Sequence, residues 1–355
     1  MGLYAQTVTG AVPASGLGRT LMHEHILCDL RDPATREDGT QWPEITMENR
    51  FQINYFQNRN PANMLLDEDN VAVRDLKLFH EAGGGAIVEL TIGGLRPQPE
   101  RLAAIAAEAG VNIIIGAGYY VDAYLPKAIR NVDIDALQSI MSSQLSDGAW
   151  GSDVRAGIIG EIGCSWPLLP SECRMLAAAA RTQRASGAAI TIHPGRNPDA
   201  PGQIADILVA AGADPSRTII GHMDRTIFDR DRLVDLFKQG FVLEWDFFGI
   251  ETSQYWMAGE DLDLPTDAMR LDLIGDLMSL GYGEQITISH DICTKTRLAA
   301  YGGHGYVHLI GNIVPMMLRR GYHEDDIDQL LTKTPARLLG FLTEPPSSSP
   351  TARPS

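Results

Sequence analysis

The chain is poor in cysteine: four in 355 residues, Cys28, Cys164, Cys173 and Cys293, with no Cys-x-x-Cys pair. That excludes a disulfide-stapled scaffold and a cysteine-based zinc ribbon, and points to reduced thiols in a cytoplasmic protein. Aromatics are sparse at 7%, and no stretch approaches the roughly 20 apolar residues of a membrane helix. Met1-Gly2-Leu3-Tyr4-Ala5-Gln6 has no basic region followed by an apolar segment, so no signal peptide is expected. Basic runs are missing too. The formal net charge is −16, which argues against nucleic acid or an anionic membrane as partner. A small substrate, even an anionic one, stays open, because a local cationic pocket can override the global field.

What the chain does have is a repeating unit. Apolar content is 44% and charged content 21%, ordinary for a soluble enzyme. Helical patterns over 67–82, 99–109, 133–145, 171–186, 202–211, 230–239 and 270–280 each precede a short apolar run. Glycine stands at most of the helix ends, where a left-handed C-cap is needed. The runs 86–90, 111–115, 156–161, 188–193, 218–222, 241–246 and 285–291 are apolar on both faces, as covered parallel strands must be. With the run ending at His23 they make eight. Eight strands alternating with helices favour a closed (β/α)8 TIM barrel. An open doubly wound sheet is the alternative, but it would more often carry a glycine-rich turn where this chain has His23-Glu24-His25.

Residues 6–13 read as a short N-terminal β-hairpin, and 324–342 as a C-terminal helix packed on the barrel. The polar and aromatic stretch 29–63 is too long for a plain connection and reads as an excursion near a functional site. One domain over 1–343 is expected, followed by a disordered Pro/Ser-rich tail, 344–355.

Residues i and i+2 of a strand share a face, so His23 and His25 project together. In a barrel the functional groups come from the C-terminal strand ends. Those ends hold His23 and His25, Glu161, His193, His222 and Asp291. A lone strand-end histidine is more often a hydrogen-bonded core residue, and His80, His304, His308 and His323 fit that description. Four imidazoles and two carboxylates at one level exceed a tetrahedral site and suit two divalent metals bridged by a carboxylate and a water. Such a pair makes hydroxide available near neutral pH. Glu161 would bridge, and Asp291 would hold the hydroxide and accept its proton. Zinc suits the imidazole-rich set; manganese, cobalt and iron fit the same ligands.

His23-Glu24-His25, His193 in Ile-His-Pro-Gly, Gly221-His222, Asp224-Arg225-Thr226, 291–297 and 301–306 resemble the phosphotriesterase family of the amidohydrolase superfamily. In that family these positions hold a binuclear metal site. Its best-known members bridge the metals with a carboxylated lysine; Glu161 stands there, as in the phosphotriesterase-related branch. The branch implies hydrolysis of N-acyl amino acids or amino sulfonates such as N-acetyltaurine. Lactone or ester hydrolysis and promiscuous phosphotriesterase activity are alternatives. A non-catalytic metal-binding protein is an alternative of another class. Relatives are often homodimers, so the resemblance leaves a homodimer open here. For substrate, Arg225 or Arg297 would pair with a carboxylate or sulfonate, and Tyr120 would donate to a carbonyl oxygen. Trp245, Phe247 and Phe248 would form an apolar wall.

Overall fold

The computed structural model describes residues 2–37, 39–56, 60–252, 254–255 and 262–343. The tail expected to be disordered, 344–355, lies outside them. Eight parallel strands form the centre: β1 (Arg19–Glu24), β2 (Gly84–Glu89), β3 (Asn112–Ala117), β4 (Ile158–Gly163), β5 (Ile190–His193), β6 (Thr218–Ile220), β7 (Val242–Trp245) and β8 (Ile286–Ile288). They pair in sequence order, with Val88 opposite Ile114 and Ile219 opposite Val242. The seam between β8 and β1 is joined just past the end of β8. There Asp291 N–H donates to His23 O at 3.0 Å, and the Ser289 hydroxyl accepts from His23 N–H. The expected barrel is therefore the one observed.

Among the described residues, the longer helices cover the outside: α1 (Asp69–Glu81), α2 (Pro99–Ala109), α3 (Ile134–Ser146), α4 (Pro170–Ser186), α5 (Ala200–Ala210), α6 (Arg230–Lys238) and α7 (Asp267–Ser279). Local chemistry sets their ends. Asp133 and Thr266 accept from Ala136 N–H and Met269 N–H, as N-caps do. Gly110 stops α2 at φ +72°, a conformation that costs glycine little. A further helical run over 309–319, which the sequence pattern did not reveal, follows β8.

Strand alternation divides the apolar residues into two cores. Met22, Val88, Ile114, Ile158, Ile219 and Val242 fill the barrel, while Ile87, Ile113, Ile159, Ile190 and Leu243 pack outward against the helices. The floor is plugged from below. The hairpin Tyr4–Thr7 with Gly10–Pro13 contributes Ala5, and the helix Thr334–Leu339 contributes Leu338 and Leu339. Arg217 ties that helix down through the carbonyls of Arg337 and Leu338. With the floor sealed, access is from the opposite rim. Among the described residues no helix is long and apolar enough to cross a membrane.

Candidate metal centre

All six predicted side chains meet at that rim. His23 Nε2 lies 3.3 Å from Glu161 Oε2, and His25 Nε2 lies 3.4 Å from Glu161 Oε1. His193 Nδ1 approaches Glu161 Oε2 at 3.0 Å, and His222 Nε2 approaches it at 3.5 Å. Asp291 Oδ1 stands 3.2 Å from His25 Nε2 and 3.7 Å from His23 Nε2. Glu161 Oε2 thus faces His23, His193 and His222, Oε1 faces His25, and Asp291 stands beyond His23 and His25. Each Glu161 oxygen faces different imidazoles, as a bridging carboxylate must.

Backbone geometry brings them there. Gly160 holds φ +103°, and a Cβ on it would meet Thr191 O at 2.1 Å, so glycine lets β4 turn Glu161 inward against β5. His222 and Asp291 are both in the left-handed region, at φ +58° and +52°. Non-glycine residues rarely sit there, and such strain concentrates at functional sites.

The residues present fit a bound cation. His222 Nε2 and His193 Nδ1 face each other at 2.8 Å, beside a carboxylate oxygen. Among the described residues neither ring nitrogen of His23 makes a well-aligned hydrogen bond, although the ring is fully buried and carboxylates lie close by. Clustered lone pairs of this kind call for positive charge between them. The titration behaviour agrees. Burial works against protonating His23, yet Glu161, Asp246 and Glu244 overcome it and hold its pKa well above the ordinary value. Burial works against the charged form of Glu161 too, and His23 and His193 still pull its pKa well below the carboxylate range. Three-ligand groupings are satisfied by His23 with Glu161 and His222, and by His23 with His25 and Asp291.

The sequence did not single out a supporting layer below. Asp246, just past β7, accepts from His222 Nδ1 at 2.8 Å and from His222 N–H at 2.9 Å, and lies 3.1 Å from His23 Nδ1. Thr91 approaches His25 Nδ1 at 3.0 Å. These contacts turn each Nε2 toward Glu161. Glu244 is fully buried beneath His23; burial pushes its carboxyl up to about 7. Asp224 accepts from Asp246 N–H and Phe247 N–H and is paired with Arg270, which also donates to Asp267.

The opening lies toward His193 and Asp291, the most exposed of the six at 8% each. It leads to a cleft of about 770 Å³ lined by His193, Tyr120, Arg196 and Trp166, and by Leu30, Asp32 and Trp42 of the long excursion. Tyr120 OH stands 3.3 Å from His193 Nδ1. Arg225 is buried beside His193. Arg297 was expected to read substrate, but its guanidinium donates to the carbonyls of His290 and Asp291 and reaches His304. It braces the Asp291 turn instead. Of the expected aromatic wall only Phe247 faces the site, its ring 5.3 Å from His222; Trp245 and Phe248 belong to the outer core.

A sealed (β/α)8 barrel with imidazoles and carboxylates converging at its rim defines the class: a hydrolase of the metal-dependent barrel type. The phosphotriesterase family profile matches residues 4–339, and the chain belongs to that family. It is 43% identical to an N-acetyltaurine hydrolase of Salmo salar over 341 residues, covering 95% of this chain and 97% of that one. The corresponding Homo sapiens protein is 41% identical over 341 residues, with the same coverage. Among solved structures, a resiniferatoxin-binding protein from Rhodobacter sphaeroides superposes with a TM-score of 0.88 at 30% identity, covering 95% and 94% of the two chains. A phosphotriesterase homology protein from Escherichia coli, complexed with phosphate in its active site, shares the fold at 0.75 and 23% identity, covering 91% of this chain and 99% of that one.

Proposed function

We propose that this protein is a binuclear amidohydrolase that cleaves a small N-acyl amino sulfonate or N-acyl amino acid, N-acetyltaurine being the leading candidate. Relatives bearing that activity in their names, at 41–43% identity over nearly the whole length of both chains, support the substrate class. The observation that carries the site is the convergence of four imidazoles on the two oxygens of Glu161, with Asp291 beside two of them. His23, His25, Glu161, His193, His222 and Asp291 would hold two divalent ions, zinc by preference for so many imidazoles. Bound there, the ions would supply an acidified water and an electrophile for the substrate carbonyl.

The remaining work falls to the chain. Glu161, a native carboxylate, keeps opposing imidazoles apart without any bicarbonate-dependent modification. Asp291, held at φ +52° by the Arg297 brace, presents a carboxylate at the mouth, where it takes the proton from attacking water and returns it to the leaving amine. Tyr120 OH, beside His193, donates to the substrate carbonyl oxygen as charge gathers on it. The cleft admits a small substrate from the Trp42 and Trp166 side, and Arg225, buried beside His193, is the cation assigned to its acid end. The reading includes one domain over 1–343 and a cytoplasmic setting, consistent with four free cysteines.

The test is a panel of N-acetyltaurine, N-acetyl amino acids, lactones and aryl phosphotriesters, run with metal analysis. N-acyl acids should lead by kcat/KM, and chelation should abolish turnover until zinc is restored. Lactones leading the panel would overturn the amide assignment; full activity in metal-free protein would overturn the centre. Asp291→Asn should keep the fold and lose at least about 100-fold in kcat, the lower end for one acid–base group.

A further inference from the structure

Strand alternation turns Glu24 away from the two histidines it separates. The side chain is fully buried, and its carboxylate grips the far side of the barrel seam. Oε1 lies 2.8 Å from Ser289 Oγ and accepts from His290 N–H at 2.9 Å and from His290 Nδ1 at 2.7 Å. Oε2 accepts from Ile292 N–H at 2.9 Å. His290 Nε2 accepts from Leu309 N–H at 3.0 Å, so the hydrogen of that ring sits on Nδ1 and donates to Glu24. The two amides that Glu24 holds belong to the residues on either side of Asp291.

The carbonyls of the same turn go to the opposite charge. Arg297 is buried, has no ion pair within 4.0 Å among the described residues, and donates to His290 O and Asp291 O. The peptide between Asp291 and Ile292 therefore stands between an anion on its N–H and a cation on its C=O. Two buried charges answer each other through one backbone dipole instead of by contact. Asp291 N–H is taken as well, by His23 O at 3.0 Å. Every backbone donor and acceptor from His290 N–H to Ile292 N–H thus has a partner. Asp291 holds φ +52°, a conformation that persists only where the surroundings over-determine it. His222, at φ +58°, shows the same device in smaller form: its N–H donates to Asp246 Oδ2 at 2.9 Å and its O accepts from Thr226 Oγ1 at 2.7 Å.

We propose that Glu24 is a positioning residue for proton transfer: with Arg297 it locks the 290–292 backbone so that the Asp291 carboxylate stays aimed at attacking water and then at the leaving group. This rests on the reading of Asp291 as proton carrier. In that step an O–H bond of water breaks as its oxygen joins the carbonyl carbon. The proton moves to Asp291 and on to the leaving nitrogen as the C–N bond breaks, so no further reactant is needed. A carboxylate on a pivoting turn would spend part of its time out of line, and a misplacement of about 1 Å costs on the order of 100-fold in such a step. Glu24 touches neither substrate nor reacting atoms; its whole effect passes through the backbone.

The test is a double-mutant cycle on the full-length zinc-loaded protein. In Glu24→Gln the amide oxygen can accept from His290 or from Ile292, but not from both. Zinc content should equal that of the wild type, and kcat on N-acetyltaurine should fall about 10–100-fold with KM within about twofold. In the Asp291→Asn background the same substitution should cost less than about twofold further, because the group it aims is gone. Arg297→Lys, which holds one carbonyl in place of two, should show the same pattern and decides the matter if Glu24→Gln does not fold. Losses that add in full to that of Asp291→Asn, a kcat loss that tracks lost zinc, or a wild-type kcat in Glu24→Gln would each overturn the positioning role. Near-normal kcat in Asp291→Asn alone would overturn the proton-carrier reading and the positioning role with it. Should the wild type cleave only lactones, the amide reading falls alone. The same cycle on that lactone still decides the role of Glu24, since the ring oxygen also leaves with a proton.

Discussion

At the scale of single residues, the site depends on carboxylates that never touch solvent. Asp246 orients His222 and lies within 3.1 Å of His23. Asp246→Asn keeps the shape but loses the charge that holds each imidazole tautomer. Metal affinity should fall about 10–100-fold, measured by competition with a chromophoric chelator; an unchanged affinity would refute the orienting role. The six rim residues were legible in sequence because each is a metal-binding side chain ending an apolar strand. Asp246 obeys the same rule at the end of the seventh run, yet it was hidden by the aromatic residues around it. Glu244 offered a plainer signal, a charge inside a strand otherwise apolar. Arg297 was misjudged for a different reason. Sequence gives the charge of a side chain but not its direction, and here the backbone carbonyls of residues 290 and 291 claimed it.

At the scale of elements, two devices bring the ligands to their positions. The first is the turn in β4. In Gly160→Ala the new methyl would press on Thr191 O in a backbone conformation that alanine resists. The expected cost is about 1–3 kcal/mol, and the displacement falls on Glu161. Thermal stability and metal content should drop together; a variant that loses stability but binds its full complement of metal would separate β4 from the site. The second device is the pairing of α7 with the β6 and β7 ends through Arg270, Asp224 and Asp267. Burial raises the Asp224 carboxyl to about 6 even with Arg270 beside it. Arg270→Met strands that carboxylate and should destabilise the fold by about 3–5 kcal/mol, read by denaturant unfolding. A loss below about 1 kcal/mol would show that the pair is dispensable. Helix and strand positions were readable within a few residues because glycine and N-cap chemistry are local. The run 309–319 was not, since its apolar residues follow a glycine-rich loop that conceals the period.

At the scale of the whole molecule, the metal-free protein carries an electrostatic burden that cations relieve. Opposing burial, Glu161 and other partners raise the pKa of His23, and Asp246 chiefly raises that of His222; both stand above 6.5. A histidine raised on folding stabilises the fold fully below its unfolded pKa, and that contribution fades as pH rises through the folded value. His193, lowered to about 3 by burial and by His222, works in the opposite sense, below 6.5. Chelated protein should therefore lose thermal stability as pH rises above 6.5, while the zinc-loaded protein should not. Zinc binding at pH 7 should release protons, visible as a buffer-dependent heat. A chelated protein as stable at pH 9 as at pH 6.5 would contradict this assignment.

The seam of the barrel has a consequence for biosynthesis. His23 and Asp291 are bonded neighbours across it, yet 268 positions separate them in translation. No nascent fragment that stops short of Asp291 holds the bond that closes the seam onto His23 or the sixth rim side chain. Completion of the rim must therefore wait until that late segment has been synthesised, and a product terminated before it would lack the carboxylate assigned to proton transfer.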